Sequence, residues 1–169
     1  MNRRTMLQTS LAAAGSAALA AKQLQSEDAK AKKTEFLHAC MTLSYNKFPL
    51  ARALEGIKDA GYSYVAWGTT HMEEGGDRVP VMAADASPAA AKELGKQCRG
   101  MGLEPVMMFS GIYPENPKAM EVLTNRIKQA SAAGIMHVLT FGHTKGGNRE
   151  VWIERFKKLA PIANDHDVT

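Results

Sequence analysis

Two histidines lie where an imidazole could take part in chemistry. His71 comes shortly after the apolar run that ends at Trp67, and His143 directly follows Phe141-Gly142. An imidazole titrates near neutral pH, so each of them could hold a hydroxyl group or transfer a proton. A histidine in a loop is also commonly just solvated or structural, and that alternative stays open for both. We predict His71 and His143 as catalytic candidates.

The spacing of metal-binding residue types does not indicate a metal site. No two of the five histidines are four residues apart, the spacing that places two imidazoles on one face of a helix. The two cysteines, Cys40 and Cys98, lie in separate apolar segments and form no CxxC pair. We therefore predict two buried thiols rather than a disulfide, and no metal ligand among the residues of this chain.

Two long polar segments follow the candidate histidines. Residues 71–88 hold several charges, including Glu73-Glu74; such a segment could act as a lid or contact a substrate, although the glutamate pair is more typical of a solvated turn. Residues 143–150, "HTKGGNRE", place Lys145 and two glycines ahead of a predicted helix. That order is compatible with a cradle for an anion or phosphate, and equally with a simple turn.

These residues must be positioned by a unit that the sequence repeats. Three phrases, "DAGYSYVAWG", "GMGLEPVMMFSG" and "AAGIMHVLTFG", each have a valine four residues after a glycine. The glycine is typical of the left-handed residue that ends a helix, and the apolar run that follows is typical of a strand covered on both faces. The pairs are Gly61 and Val65, Gly102 and Val106, and Gly134 and Val138.

Helical patterns precede these phrases and alternate with the strands. We predict helices over 49–60, from Ser87-Pro88, from Asn116-Pro117 and over 149–164, where Pro161 should bend or shorten the end. A first strand is predicted over 36–42, and residues 167–169 read as the opening of a fifth. Strands that alternate with helices require a parallel sheet with right-handed crossovers.

The predicted sheet could remain open or close into a barrel. An open nucleotide-binding sheet normally carries a glycine-rich turn after its first strand, and "HACMTLSYNKFPL" has none. We therefore predict an α/β fold that is the N-terminal half, about four βα units, of a (β/α)8 TIM barrel, since eight units take roughly 250 residues. We expect the sequence to be truncated at the start of strand five; a natural half-barrel that dimerises is the alternative.

The first residues have the features of an export signal. Arg3-Arg4 precedes an uncharged stretch, 11–21, that contains an A-x-A pattern and is too short to anchor the chain in a bilayer. The arginine pair is similar to the twin-arginine motif of bacterial Tat signals, which predicts a periplasmic protein. We assign 1–21 to the signal peptide, 22–34 to a flexible linker and 35–169 to the partial barrel. Residues 1–33 hold six basic and two acidic residues, so the rest of the chain is nearly neutral and nucleic acid is not an expected partner.

The segments "FLHACMTLSYNKFPLARALEGIKDAGYSYVAWG" and "AAGIMHVLTFGHTKGGNREVWIERFKKLAPIANDHDVT" resemble the xylose isomerase-like TIM barrels. That superfamily includes sugar isomerases, sugar-phosphate epimerases and type IV apurinic endonucleases. The resemblance implies a divalent metal held by Glu, Asp and His on strands five to eight, so the expected ligands lie beyond Thr169. Many members end strand two in an acidic residue, where this chain has Trp67.

The resemblance implies a metal-dependent sugar isomerase or epimerase for the intact, exported protein, with a small carbohydrate as substrate. Trp67 and Phe109 could then form an apolar wall against the sugar ring, or could simply be barrel packing, and Thr70 and Lys145 are further substrate-binding candidates. The alternative is a carbohydrate-binding or hydrolytic barrel of the same superfamily without isomerase activity. We expect the isolated chain to be inactive, because the metal ligands are missing, and to aggregate or form a homo-oligomer through its open strand edge.

Overall fold

A computed structural model describes residues 36–143 and 145–169 of the chain. The predicted signal peptide and linker, 1–34, lie outside the described residues. The six strands are β1 (Ala39–Met41), β2 (Tyr64–Trp67), β3 (Thr70–Met72), β4 (Arg78–Pro80), β5 (Glu104–Phe109) and β6 (His137–Leu139). The four α-helices are α1 (Leu50–Asp59), α2 (Pro88–Gly100), α3 (Ala119–Ala133) and α4 (Arg149–Asp165). Within these ranges no helix has both the length and the apolar character needed to cross a membrane.

Four strands form one parallel sheet in the order β1-β2-β5-β6. Each strand is joined to its neighbour in the sheet by a segment that contains a helix, which gives the predicted repeat of βα units. The three valines of the repeated phrases lie in β2, β5 and β6. The α/β prediction, four βα units of a barrel, is therefore confirmed.

The glycines of the three phrases take the left-handed backbone conformation predicted for them. Their φ angles are 88° at Gly61, 82° at Gly102 and 72° at Gly134, each just past the end of a helix. Gly134 also has no room for a side chain, because a Cβ there would lie 2.8 Å from Nη2 of Arg99. This arginine also holds both carboxylate oxygens of Glu104 and the backbone carbonyl of Ala133.

One helix begins as predicted, and two others differ from the predictions near a proline. Ser87 caps α2 as predicted, its Oγ accepting a hydrogen bond from the Ala90 amide at 3.3 Å. The prediction that Asn116 starts the next helix in the same way is wrong: Asn116 Oδ1 binds the amide of Lys118, and α3 begins at Ala119. Helix α4 continues through Pro161 to Asp165, so the proline does not shorten it.

Two elements between the strands were not predicted. Thr42–Tyr45 form a 3-10 turn after β1. Strands β3 and β4 form an antiparallel hairpin at the start of the long polar segment 71–88. The hairpin strands have three residues each, too few for alternation of apolar and polar residues to stand out. The hairpin is tied to the turn region by a hydrogen bond from the Met72 amide to the Asn46 carbonyl at 3.0 Å.

The two faces of the main sheet have different environments. Paired residues in a parallel ladder point to the same face, and successive residues alternate. One face packs against the helices and carries Cys40, Val65, Trp67, Met108 and Val138. The opposite face is the concave face of the partial barrel, and the register assigns to it Ala39, Met41, Tyr64, Ala66, Met107, Phe109, His137 and Leu139.

The last residue extends the sheet beyond β6. The Thr169 amide donates to the Met136 carbonyl at 2.7 Å, and the Val138 amide donates to the Thr169 carbonyl at 2.8 Å. This alternation of bonds is that of a parallel ladder, and the side chains of His137 and Thr169 meet at 2.5 Å. Of the predicted strand opening 167–169, Thr169 therefore pairs with β6 as in a parallel strand, whereas Asp167 lies in a turn with a φ of 54°.

Candidate functional site

The carboxyl ends of the four parallel strands lie along one edge of the sheet, where TIM barrels place their active sites. Hydrogen bonds join the segments that leave neighbouring strands. The Gly68 amide donates to Thr42 Oγ1 at 3.0 Å, and Thr140 Oγ1 donates to the Ile112 carbonyl at 2.9 Å. Gly68 must be glycine here, because a Cβ would lie 2.8 Å from the Leu43 nitrogen. These contacts join the end of β1 to that of β2 and the end of β5 to that of β6. We call the carboxyl ends of the four strands, with the segments that follow them, the rim.

His71 lies in hairpin strand β3 and not in an exposed loop. Its side chain is 1% exposed, and Nδ1 is 2.9 Å from the Phe48 carbonyl oxygen. A carbonyl can only accept, so Nδ1 is the donor of this contact. The other ring nitrogen, Nε2, is buried without a hydrogen-bond partner among the described residues. The geometry is that of an imidazole oriented by a backbone carbonyl.

His143 lies at the opposite end of the rim in an aromatic cluster. Its ring stacks on Tyr113 with 3.9 Å between centroids, Tyr113 meets Phe141 edge-on at 5.9 Å, and Phe141 contacts Phe109 at 5.2 Å. His143 is exposed and Phe109 is half-buried. The cluster gives the rim an apolar surface beside an accessible imidazole.

The two candidate histidines are not brought together. His71 follows β2 and His143 follows β6, and β5 lies between those strands. Neighbouring strands are about 4.8 Å apart, so the ends of the two strands that these histidines follow are roughly 10 Å from each other.

Trp67 is the last residue of β2, but its side chain is not exposed at the rim. It is 1% exposed and belongs to the core on the helix side of the sheet. Its neighbour is Cys98, a fully buried thiol whose pKa is raised by burial, a rise that the Trp67 indole partly offsets. The structure therefore gives Trp67 a packing position, away from any ligand on the concave face. Both cysteines are free thiols, as predicted, although Cys40 is only half-buried.

The remaining substrate-binding candidates are polar and accessible. Thr70 Oγ1 accepts a hydrogen bond from Arg78 across the hairpin at 3.3 Å, and Lys145 is exposed. The glycines beside Lys145 do not leave an open anion cradle, because a Cβ on Gly147 would lie 2.9 Å from Oε1 of Glu115. A carboxylate in that position disfavours a bound phosphate.

Glu115 is a site residue that the sequence analysis missed. It follows β5 in the turn "YPEN", which looks like an ordinary solvated turn because proline, glutamate and asparagine are common there. In the fold its carboxylate packs against Gly142 and Gly147 of the segment that carries His143. The glycine pair was the available signal, since paired glycines can mark a close approach of another group.

The described residues do not fit a metal centre. Ranges 36–143 and 145–169 bring together no group of three or more His, Cys, Asp or Glu side chains that could hold an ion. An apolar groove of about 280 Å³ between α3, β6 and α4 is lined by side chains such as Leu123, Val138 and Phe156. It lies on the helix side of the sheet and offers no chemistry to the rim.

Comparison with known proteins identifies the fold. The sequence matches no family model and no curated protein. A solved structure of D-psicose 3-epimerase in the presence of D-fructose matches 79% of this chain with a TM-score of 0.54 and 10% identity. A xylose isomerase domain protein from Planctomyces limnophilus matches 80% of it with a TM-score of 0.53 and 14% identity.

The described chain has the fold of a partial xylose isomerase-like TIM barrel. It spans about half the length of these two structures, 50% and 52%. A third match is a fusion protein of a xylose isomerase-like TIM barrel with 4-hydroxyphenylpyruvate dioxygenase, with a TM-score of 0.52, 14% identity, and 80% of this chain and 21% of that chain covered. The sequence resemblance to this fold is thereby confirmed.

Proposed function

We propose that this chain supplies the first four βα units of a sugar isomerase or epimerase-like barrel and that its rim binds a carbohydrate. The observation that carries the proposal is the rim itself: an accessible imidazole and an aromatic surface at the carboxyl ends of parallel strands, in a fold shared with an epimerase and a xylose isomerase domain protein. In this proposal the substrate is a small sugar such as a ketohexose.

The rim residues have distinct roles in this proposal. Phe109, Phe141 and Tyr113 form the apolar surface for the C–H face of the ring, replacing Trp67 in that role. His143 binds or protonates a hydroxyl from the accessible side. His71, oriented by the Phe48 carbonyl, is buried and supports the segment that follows β2, and Thr70 and Lys145 supply further polar contacts.

The metal expected from the resemblance remains part of the proposal for the whole protein. No step is assigned to it here, because the described residues assemble no ligand group. Export through the Tat pathway and a periplasmic location are likewise proposals that rest on Arg3-Arg4 and the uncharged stretch after them.

A carbohydrate-binding barrel without isomerase activity is the second candidate. It would use the same binding groups at the rim and would need no metal centre in the rest of the barrel. Both candidates require sugar binding at the rim, and turnover of the sugar by the whole protein separates them.

Saturation-transfer NMR with D-fructose on the 169-residue chain tests the shared requirement. We expect transfer to the sugar to be strongly reduced in His143→Ala and retained in His166→Ala, which changes a histidine that follows α4 at the opposite end of the sheet. Absence of transfer in the unmodified chain, or equal transfer in both variants, would contradict sugar binding at this rim.

A further inference from the structure

One carboxylate at the rim has no structural partner. Oε2 of Glu115 is buried and makes no hydrogen bond to any part of the chain that the structure describes, and no ion pair involves Glu115 there. A buried acceptor without a donor destabilises a protein by about 1–3 kcal/mol, and more when it is charged. No contact in the described part of the chain gives this oxygen a structural role.

The carboxylate of Glu115 packs against Gly142 and Gly147, two glycines on either side of His143 in the sequence. A Cβ on Gly142 would lie 3.3 Å from Oε1, and one on Gly147 would lie 2.9 Å from it. The same Gly147 Cβ would lie 3.0 Å from His143 Cβ. Glu115 and His143 therefore both border Gly147, and the lack of side chains at two glycines makes room for the carboxylate.

The nearby charges indicate what the carboxylate can bind. Arg155 Nη1 donates to the backbone carbonyls of Pro114 and Asn116, on both sides of Glu115. A guanidinium this close disfavours a second cation by Coulomb repulsion. Hydroxyl groups are neutral donors, and a carboxylate accepts from them in short, strong hydrogen bonds.

We propose that the carboxylate of Glu115 binds hydroxyl groups of the sugar. This inference rests on the proposed function and adds a residue to the same site. Tyr113, stacked on His143, lies two residues before Glu115, so ring stacking and hydroxyl binding would come from one turn. The unpartnered oxygen gains its donor from the ligand.

Two variants and two matched controls test the proposal on the 169-residue chain. Glu115→Gln removes the charge, and Gly147→Ala places a methyl group 2.9 Å from the position of Oε1; neither position has a positive φ. The controls are Glu121→Gln, an exposed carboxylate on α3, and Gly75→Ala, an exposed hairpin-turn glycine with open space around it. D-Fructose is titrated while the NMR signals of His143 and Gly147 are followed.

We expect saturable shifts of these signals in the unmodified chain and both controls. Glu115→Gln and Gly147→Ala should weaken the apparent affinity by about tenfold or more, the loss expected for a hydrogen bond to a charged group. Unchanged affinity in Glu115→Gln would overturn the proposal. Saturation of the same signals by Mg²⁺ or Mn²⁺ alone, without a response to the sugar, would also overturn it in favour of a cation site.

A thermal measurement distinguishes ligand binding from a structural role. Glu115→Met, of similar length and without polar atoms, should raise the midpoint of thermal unfolding in the absence of sugar, because it removes an unpaired acceptor. A lowered midpoint would show that the carboxylate stabilises the fold and would contradict the proposal. Sugar binding that moves signals elsewhere on the rim but not those of His143 and Gly147 refutes this inference alone, whereas no binding at all refutes the proposed function as well.

Discussion

At the scale of single residues, the imidazole of His71 is oriented by a backbone carbonyl and not by another side chain. The sequence predicted its neighbourhood, because it follows a strand end, but not its burial. The burial comes from the β3–β4 hairpin and from Phe48, and contact with a residue 23 positions away leaves no local pattern in the sequence.

Other residues show the same limit. The left-handed glycines were predictable because a backbone conformation open mainly to glycine restricts the residue type directly. The face of the sheet on which the Trp67 side chain lies was not predictable. A strand of four residues that is buried almost throughout has no polar side chain to mark an exposed face. Glu115 was missed because its environment is made by a segment distant in sequence.

A pair of glycine substitutions tests the helix-ending conformation. Gly134→Ala should lower the free energy of unfolding by more than about 1 kcal/mol, because φ is 72° and the added Cβ would lie 2.8 Å from Arg99. Gly100→Ala, at the last position of α2 with nothing within 4 Å of the added Cβ, should be neutral or raise it by up to about 1 kcal/mol. Urea denaturation measures both, and equal effects would contradict the argument.

At the scale of elements, α3 holds the segment before α2 through its polar side chains. Gln129 Nε2 donates to the Ala83 and Ala86 carbonyls at 2.9 and 2.8 Å, and Asn125 Nδ2 donates to the Ala84 and Ala86 carbonyls. Arg126 adds a partly buried guanidinium, whose pKa is lowered by burial. The helical pattern of α3 was predictable from Leu123 and Ile127. The hydrogen bonds that its polar side chains make to the segment before α2 were not.

Removal of the Gln129 amide should destabilise the chain. Gln129 is 0% exposed, so Gln129→Leu leaves two carbonyl oxygens with fewer donors and should lower the free energy of unfolding by about 1–3 kcal/mol. Lys128→Leu, its exposed neighbour on the same helix, should change it by less than about 0.5 kcal/mol. Denaturation curves that are the same for both variants would show that these hydrogen bonds contribute nothing measurable.

At the scale of the whole molecule, the order of strands was the most predictable feature. Four βα units with glycine at each helix end admit few topologies, and the right-handed crossover rule leaves the parallel sheet that is observed. The concave face could not be judged from composition, because apolar residues of a strand look the same whichever side they face. In the fold this face exposes Leu139 by 38% and Phe141 by 49%.

The concave face should drive self-association. Large exposed apolar side chains beside a strand edge favour contact with another chain, so light scattering should show dimers or larger species at micromolar concentration. Leu139→Lys should shift the distribution toward monomer by placing a charge on that face. Val79→Lys, equally exposed at 44% but on the hairpin, should leave it unchanged. A monomer at all concentrations in the unmodified chain would contradict this prediction.

The ladder between β6 and Thr169 has a consequence for how the chain is made. Each strand of the main sheet pairs with the next strand of that sheet along the chain, and β6 pairs with Thr169. The paired residues are a few tens of positions apart in the sequence. Contacts of this range close small loops, so each newly synthesised unit can dock on the one already formed while the ribosome is still elongating the chain. The edge strand of the partly formed sheet then provides the backbone groups with which the next strand pairs, in the order of translation.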